Sequence, residues 1–171
     1  MAIHVREAAP GDAPVIEEML LEAARWVDAL GVVMWEEGEL DSARIAREVA
    51  ARQFFIAEAD GVPAGVVRFQ LLDLQFWPDI AQDDSAFVHR LVVRRAFKGR
   101  GVSTALLAWS VEHARAMGRR FLRLDCDAQR TKLRELYERF GFRFHSYRQV
   151  GSYYVARYEL PLELNAYNSA R

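Results

Sequence analysis

The segment 87–107, FVHRLVVRRAFKGRGVSTALL, constrains this chain more than any other. It reads as an apolar strand rich in β-branched residues over 87–93, a basic turn carrying Gly99 and Gly101, and an amphipathic helix that ends near Gly118. The first N–H groups of such a helix have no intrahelical partner, and the helix dipole adds roughly half a positive charge there. Lys98 and Arg100 add full charges, and the two glycines let a ligand approach the backbone closely. The turn is therefore a ready site for a phosphorylated ligand.

The remaining pattern supplies a fold around this unit. Residues 3–7 alternate as a short strand. Asp12 is the expected N-cap of a helix carrying Val15, Ile16, Met19, Leu20, Ala23, Ala24 and Val27, which stops near Gly31. Asp41 or Ser42 caps a second, shorter helix bearing Ile45 and Val49. Strands over 54–58 and 64–69 flank Asp60-Gly61-Val62-Pro63, a hairpin signal, and the second is expected to run on towards Leu74. A loop follows with Phe76-Trp77-Pro78-Asp79 and Asp83-Asp84. After the glycine turn and its helix come a strand over 120–126, a helix over 132–140 stopped by Gly141, and strands over 142–149 and 153–160. The order β-α-α-β-β-β-α-β-α-β-β predicts an α/β chain with a mixed, mostly antiparallel sheet and helices on both faces. It is expected to form a single domain over 1–164 with a loose tail over 165–171.

Composition narrows the function classes. A formal net charge of −1 over 171 residues gives no support for nucleic-acid binding as the main task, so basic surface must be local. Two basic patches are expected, one from Arg94, Arg95, Lys98 and Arg100, the other from Arg119, Arg120 and Arg123. The single cysteine, Cys126, fits a reducing compartment and a core position. No run is long enough to span a bilayer and the N-terminus carries no apolar signal region, so no membrane association and a cytoplasmic location are expected. His4, His113 and His145 show no metal-ligand spacing, and no metal is expected.

Three glycine motifs compete for the turn. A Walker loop needs G-x-x-x-x-G-K-[ST], which is absent, and a dinucleotide fingerprint needs a third glycine where Thr104 stands. A site for the pyrophosphate of an acyl-CoA fits the strand, cations and helix together. Lys98-Gly99-Arg100-Gly101-Val102-Ser103 resembles the Q/R-x-x-G-x-G/A signature of the GNAT superfamily of acyl-CoA-dependent N-acyltransferases. Downstream, Leu136-Tyr137-Glu138-Arg139-Phe140-Gly141-Phe142 is similar to that family's L-Y-x-x-x-G-F segment. The chain departs from the pattern at Lys98, at Ser103, and at Arg130, where many relatives have asparagine seven residues before the tyrosine.

The resemblance implies an enzyme that transfers acetyl from acetyl-CoA to a primary amine of a small molecule or peptide by direct attack in an ordered ternary complex. It implies cofactor contacts from Leu91, Val92 and Val93, from Lys98, Gly99, Arg100, Gly101, Val102, Ser103 and Thr104, and from Arg130 towards a phosphate. A backbone N–H near Val93 would stabilise the oxyanion. Tyr137 would protonate the leaving thiolate; as a side chain alone it also reads as helix packing beside Leu133, Leu136 and Phe140. Asp125 stands where some relatives carry a catalytic glutamate, with Arg123 on its face and Leu122, Leu124 and Cys126 on the other. Asp125, His89 or a water chain would serve as base, against an ion pair or strand-end cap for Asp125 and a core role for His89. Trp35, Glu37 and Trp77, with Met34, Glu36, Phe76 and Asp79 nearby, either wall an acceptor pocket or plug the core edge. A homodimer is expected from the family. The rival reading is a non-catalytic acyl-CoA-binding regulatory module.

Overall fold

Asp60 and Gly61, both with positive φ, turn the chain between strands β2 (Phe54–Ala59) and β3 (Val62–Gln70), as the hairpin signal predicts. The computed structural model describes residues 1–36 and 38–163. Its other elements are β1 (Ile3–Glu7), α1 (Ala13–Asp28), α2 (Ser42–Ala50), β4 (Ser85–Val93), α3 (Val102–Ala116), β5 (Phe121–Asp127), α4 (Thr131–Phe140), β6 (Arg143–Val150) and β7 (Tyr153–Pro161). The strands form one seven-stranded sheet in the order β1-β2-β3-β4-β5-β7-β6. The β4–β5 pair is parallel, running from Ser85↔Phe121 to Val88↔Leu124, and β1–β2, β2–β3, β5–β7 and β6–β7 are antiparallel.

The element order is the predicted one, with local corrections. β3 stops at Gln70 instead of continuing towards Leu74. Asp73 ends it: its Oδ1 accepts from the N–H groups of Gln75 and Phe76 at 3.1 and 2.9 Å, and its own N–H donates to Gln82 Oε1 at 2.8 Å. A side chain that bonds the backbone two and three residues on competes with the sheet ladder. Asp12 stands at the N-cap position of α1, as expected, but its side chain makes no capping bond; it takes the fork of Arg6 at 2.7 and 3.0 Å and the N–H of Ala9. Asp41, not Ser42, caps α2, accepting from the N–H of Arg44 at 3.0 Å.

Contacts group the chain into two units. The first comprises Met1–Phe69 and Arg90–Leu107; its core joins Ile16, Met19 and Leu20 of α1 to Ile45 and Val49 of α2 and to Phe54, Ile56, Val66 and Val92 of the strands. The second comprises Gln70–His89 and the residues from Ala108 on, with Trp77, Phe87, Leu122, Leu124, Ala156 and Tyr158 buried. Both faces of β5 are covered, because Arg123 on the polar face is as buried as its apolar neighbours. The expected tail over 165–171 and Glu37 lie outside the described residues. Among the described residues no helix is long and apolar enough to cross a membrane.

Candidate functional site

In the first unit the glycine turn is fixed from three directions. Arg90 adopts φ +51, a left-handed conformation that only a held residue keeps. Its guanidinium, 5% exposed, donates to Glu48 Oε2 at 3.1 Å and to the Glu39 carbonyl at 2.8 Å. Glu48 is itself buried and also pairs with Arg68 at 3.1 Å and Arg44 at 3.0 Å. The backbone of Leu91, Val92 and Val93 starts from this clamp.

The second hold is Gly65. A Cβ there would stand 2.8 Å from the Val92 carbonyl oxygen and 2.9 Å from Val102 Cγ1, so only glycine lets the start of α3 pack this closely on the strands. The third is α1: Arg94 donates to Glu18 at 2.9 Å, Glu22 accepts the Arg95 N–H at 2.9 Å, and the Arg95 guanidinium lies 4.2 Å from the Trp26 ring centre.

Gly99 and Gly101 both have positive φ, at +74 and +83. The first α-type bond of α3 runs from the Ala105 N–H to the Gly101 carbonyl, 3.0 Å, so the N–H groups of Val102, Ser103 and Thr104 precede the ladder. Of the expected basic patch, Arg94 is paired with Glu18 and Glu22 of α1 and Arg95 lies over Trp26, while Arg95, Lys98 and Arg100 are all exposed. The residues present suit an anionic ligand. The second expected patch is absent as such. Arg123 is buried against Ser85 Oγ and Glu159, and Arg119 donates to the Asp83 carbonyl.

The second unit holds the titratable groups. The registered β4–β5 pairs end at Val88 and Leu124, and the next residues on each strand are His89 and Asp125. His89 Nδ1 faces Asp125 Oδ1 at 3.6 Å, while its Nε2 lies 2.7 Å from Asp73 Oδ2. Asp125, with its side chain 8% exposed, has no hydrogen-bond partner on Oδ1 among the described residues. Burial, reinforced by the charge of Asp73, pushes its carboxyl up to about 6, against the pull of Arg157 and, when its ring is protonated, of His89. Among the described residues no arginine forms an ion pair with Asp125, Arg123 pairing with Glu159 instead, and Asp127 rather than Asp125 accepts the Gln129 N–H after the strand. Phe76 lies beside the imidazole, 5.9 Å between ring centres, and Tyr153 is 6.1 Å beyond it.

Tyr137 sits on the buried side of α4, packed edge-on against Phe142 and tilted against Tyr158. Burial raises its phenol well above the usual range, opposed by the charge of Arg130, so it stays protonated. Cys126 is buried and its thiol is pushed up to about 12, which leaves it an inert core residue. Arg130 directly precedes α4.

Two aromatic expectations part ways. Trp77 is 0% exposed, packed on Phe87 and beneath the Arg157 guanidinium at 4.6 Å, so it is a core residue and not a pocket wall. In the first unit Trp35 packs on the core edge and, with Met34, Glu36 and Leu40, lines an open groove.

Asp73 escaped the sequence reading because it comes from the loop after β3 and nothing in its spacing links it to His89. With it, three donor atoms of Asp73, His89 and Asp125 lie within 4.8 Å of one another. Within this cluster the Asp73–His89 contact is a hydrogen bond of 2.7 Å. Gly65 carried a readable signal, a lone glycine inside a strand pattern.

A family profile described as the acetyltransferase (GNAT) family matches residues 17–142. The uncharacterized N-acetyltransferase YesJ of Bacillus subtilis is 29% identical over 140 residues, which covers 78% of this chain and 77% of that protein. A GNAT-family acetyltransferase from Listeria monocytogenes superposes with a TM-score of 0.76 at 28% identity, covering 92% of this chain and 95% of that one. YncA from Salmonella typhimurium, whose structure holds acetyl-CoA, shares the fold at a TM-score of 0.73 and 20% identity over 100% of both chains. With a profile match over residues 17–142, most of its length, the chain belongs to the GNAT acetyltransferase family.

Proposed function

We propose that the protein transfers an acetyl group from acetyl-CoA to a primary amine by direct attack. The observation that carries this reading is Asp125: a buried carboxylate with an unpartnered oxygen and a raised pKa, beside an imidazole. Such a group is ionised at neutral pH yet basic enough to accept a proton from an amine as it attacks.

Acetyl-CoA supplies the activated acyl group as a thioester. Lys98, Arg100 and the N–H groups of Val102, Ser103 and Thr104 would hold its pyrophosphate, with Gly99 and Gly101 giving the close approach. Leu91, Val92 and Val93 offer backbone groups to its arm, an N–H near Val93 would meet the oxyanion, and Arg130 would reach a phosphate. As the acceptor nitrogen bonds to the acyl carbon, its N–H proton passes to Asp125 Oδ1. As the carbon–sulfur bond breaks, the Tyr137 O–H gives its proton to the departing thiolate and recovers one from solvent.

The test is Tyr137→Phe. Turnover should fall roughly 100-fold, the usual worth of a positioned proton donor, while coenzyme A binding stays unchanged. Equal turnover in both proteins would remove the tyrosine from the mechanism. A wild-type protein that binds acetyl-CoA but turns over no amine would establish the regulatory-module alternative.

A further inference from the structure

We propose that Asp73 is the positioning residue of a proton relay, Asp125–His89–Asp73, that carries the acceptor's proton away from the reacting nitrogen. This rests on the reading of Asp125 as the group that first takes that proton.

The geometry divides the labour of Asp73. Its Oδ1 is used by the turn, accepting from Gln75 and Phe76, while Oδ2 is left for the imidazole at 2.7 Å. Capping a turn requires only the first oxygen; the second is spent on His89. Nε2–H donates to this carboxylate, which fixes the ring proton on Nε2 and turns the Nδ1 lone pair towards Asp125 Oδ1, 3.6 Å away. Asp73 is buried and tied through its own N–H to Gln82, so the ring has little freedom to flip. Phe76 closes one side of it.

The steps balance. The acceptor N–H bond breaks and an O–H bond forms on Asp125 Oδ1. A small rotation of that carboxyl, or one water in the gap, then passes the proton to His89 Nδ1 and restores the Asp125 carboxylate. The imidazolium so formed lies between two carboxylates, Asp73 stabilises it without itself gaining the proton, and the ring, with its side chain 15% exposed, gives that proton to solvent as the product leaves. The charged and titratable groups around Asp125 are His89 from β4, Asp73 from the loop after β3, Arg157 from β7, Cys126 beside it on β5 and Tyr137 from α4.

Asp73→Asn and Asp73→Ser separate the relay from the turn, since both can still cap Gln75 and Phe76 but neither offers a carboxylate to His89. Nitrogen-15 NMR of the His89 ring needs no turnover. In the neutral ring it should show the proton on Nε2 in the wild-type protein, and a mixture including Nδ1–H in both variants. In amine acetylation both variants should lose roughly 100-fold in kcat. Their acid limb of kcat/KM should move to lower pH, because a like charge near Asp125 has gone. A role in the turn alone would leave the tautomer unmoved, and loss of the charge alone would move the limb while the plateau kcat is kept. A wild-type ring protonated on Nδ1 alone, or variants with unchanged tautomer and limb, would overturn the relay. An inactive wild-type protein would overturn the acetyl-transfer reading instead and leave the ring measurement decisive.

Discussion

Asp125 and Arg157 are registered opposite each other on β5 and β7, yet the arginine's fork closes on Asp79 at 2.6 and 2.9 Å and leaves the aspartate without a hydrogen-bonded cation. A buried carboxylate that met its neighbouring guanidinium would be a salt bridge with a depressed pKa. Diverting Arg157 keeps Asp125 basic. In Asp79→Asn the arginine loses its charged partner and turns to Asp125. The acid limb of kcat/KM should then move to lower pH and the plateau should fall, which a pH–rate profile of both proteins reads directly. An unchanged limb would show that Asp79 only holds the loop.

Asp125→Asn should cost activity and add stability. For a carboxyl raised from 3.8 to about 6 by folding, the protonated form is the one the fold prefers. Stability is therefore fully present below the unfolded pKa and is lost as pH rises through about 6. At pH values above that window the asparagine variant should be more stable by about 2–3 kcal/mol, with the difference vanishing in acid. Its kcat should fall roughly 100-fold or more. Urea melts at two pH values, with turnover measured alongside, check both halves.

Gly65→Ala should weaken cofactor binding from a distance. The added methyl carbon would sit 2.8 Å from the Val92 carbonyl oxygen, a backbone atom with little room to yield. Overpacking of this kind costs about 1–3 kcal/mol. Because Val102 and Leu106 are the other atoms in contact, the start of α3 must shift, and with it the N–H groups offered to the pyrophosphate. Calorimetric titration should show a weaker Kd for coenzyme A in a protein that still melts cooperatively.

Glu48→Ala should be the most damaging change away from the chemistry. It removes the carboxylate that Arg90 and Arg68 share, leaving Arg90 the Glu39 carbonyl and Arg68 the Gln53 side chain, and removing one partner of a buried pair costs about 3–5 kcal/mol. Arg90 would also lose its reason to hold a left-handed backbone at the start of the 91–93 segment. The midpoint of denaturant unfolding should drop accordingly. A loss below about 1 kcal/mol would mean that the arginines are rehydrated in the variant.

The sequence shows some of this and hides the rest for definite reasons. The strand, glycine turn and helix from β4 to α3 were legible because each is a local pattern: β-branched residues, positive-φ glycines, helical spacing. Tyr137 and Asp125 were legible through the two motifs and their place in the element order. Asp73, Asp79 and Arg157 were not, because their partners lie 16 and 78 residues away and no periodicity reports a contact of that kind. Glu48 was hidden for the same reason, since an acid inside a short amphipathic helix reads as solvated. Trp77 misled because a tryptophan beside Pro78 and Asp79 resembles an exposed loop residue, while the Arg157–Asp79 pair holds that loop down and buries the ring.

Acetyl transfer is read from release of coenzyme A thiol from acetyl-CoA, followed for wild type and Asp125→Asn with a series of primary amines. Release should depend on the amine, with the acetyl group recovered on nitrogen, a wild-type acid limb near pH 6 set by Asp125, and a loss of roughly 100-fold in the variant. Amine-dependent release at equal rates in both proteins, or none from a wild-type protein that binds acetyl-CoA, would contradict this mechanism.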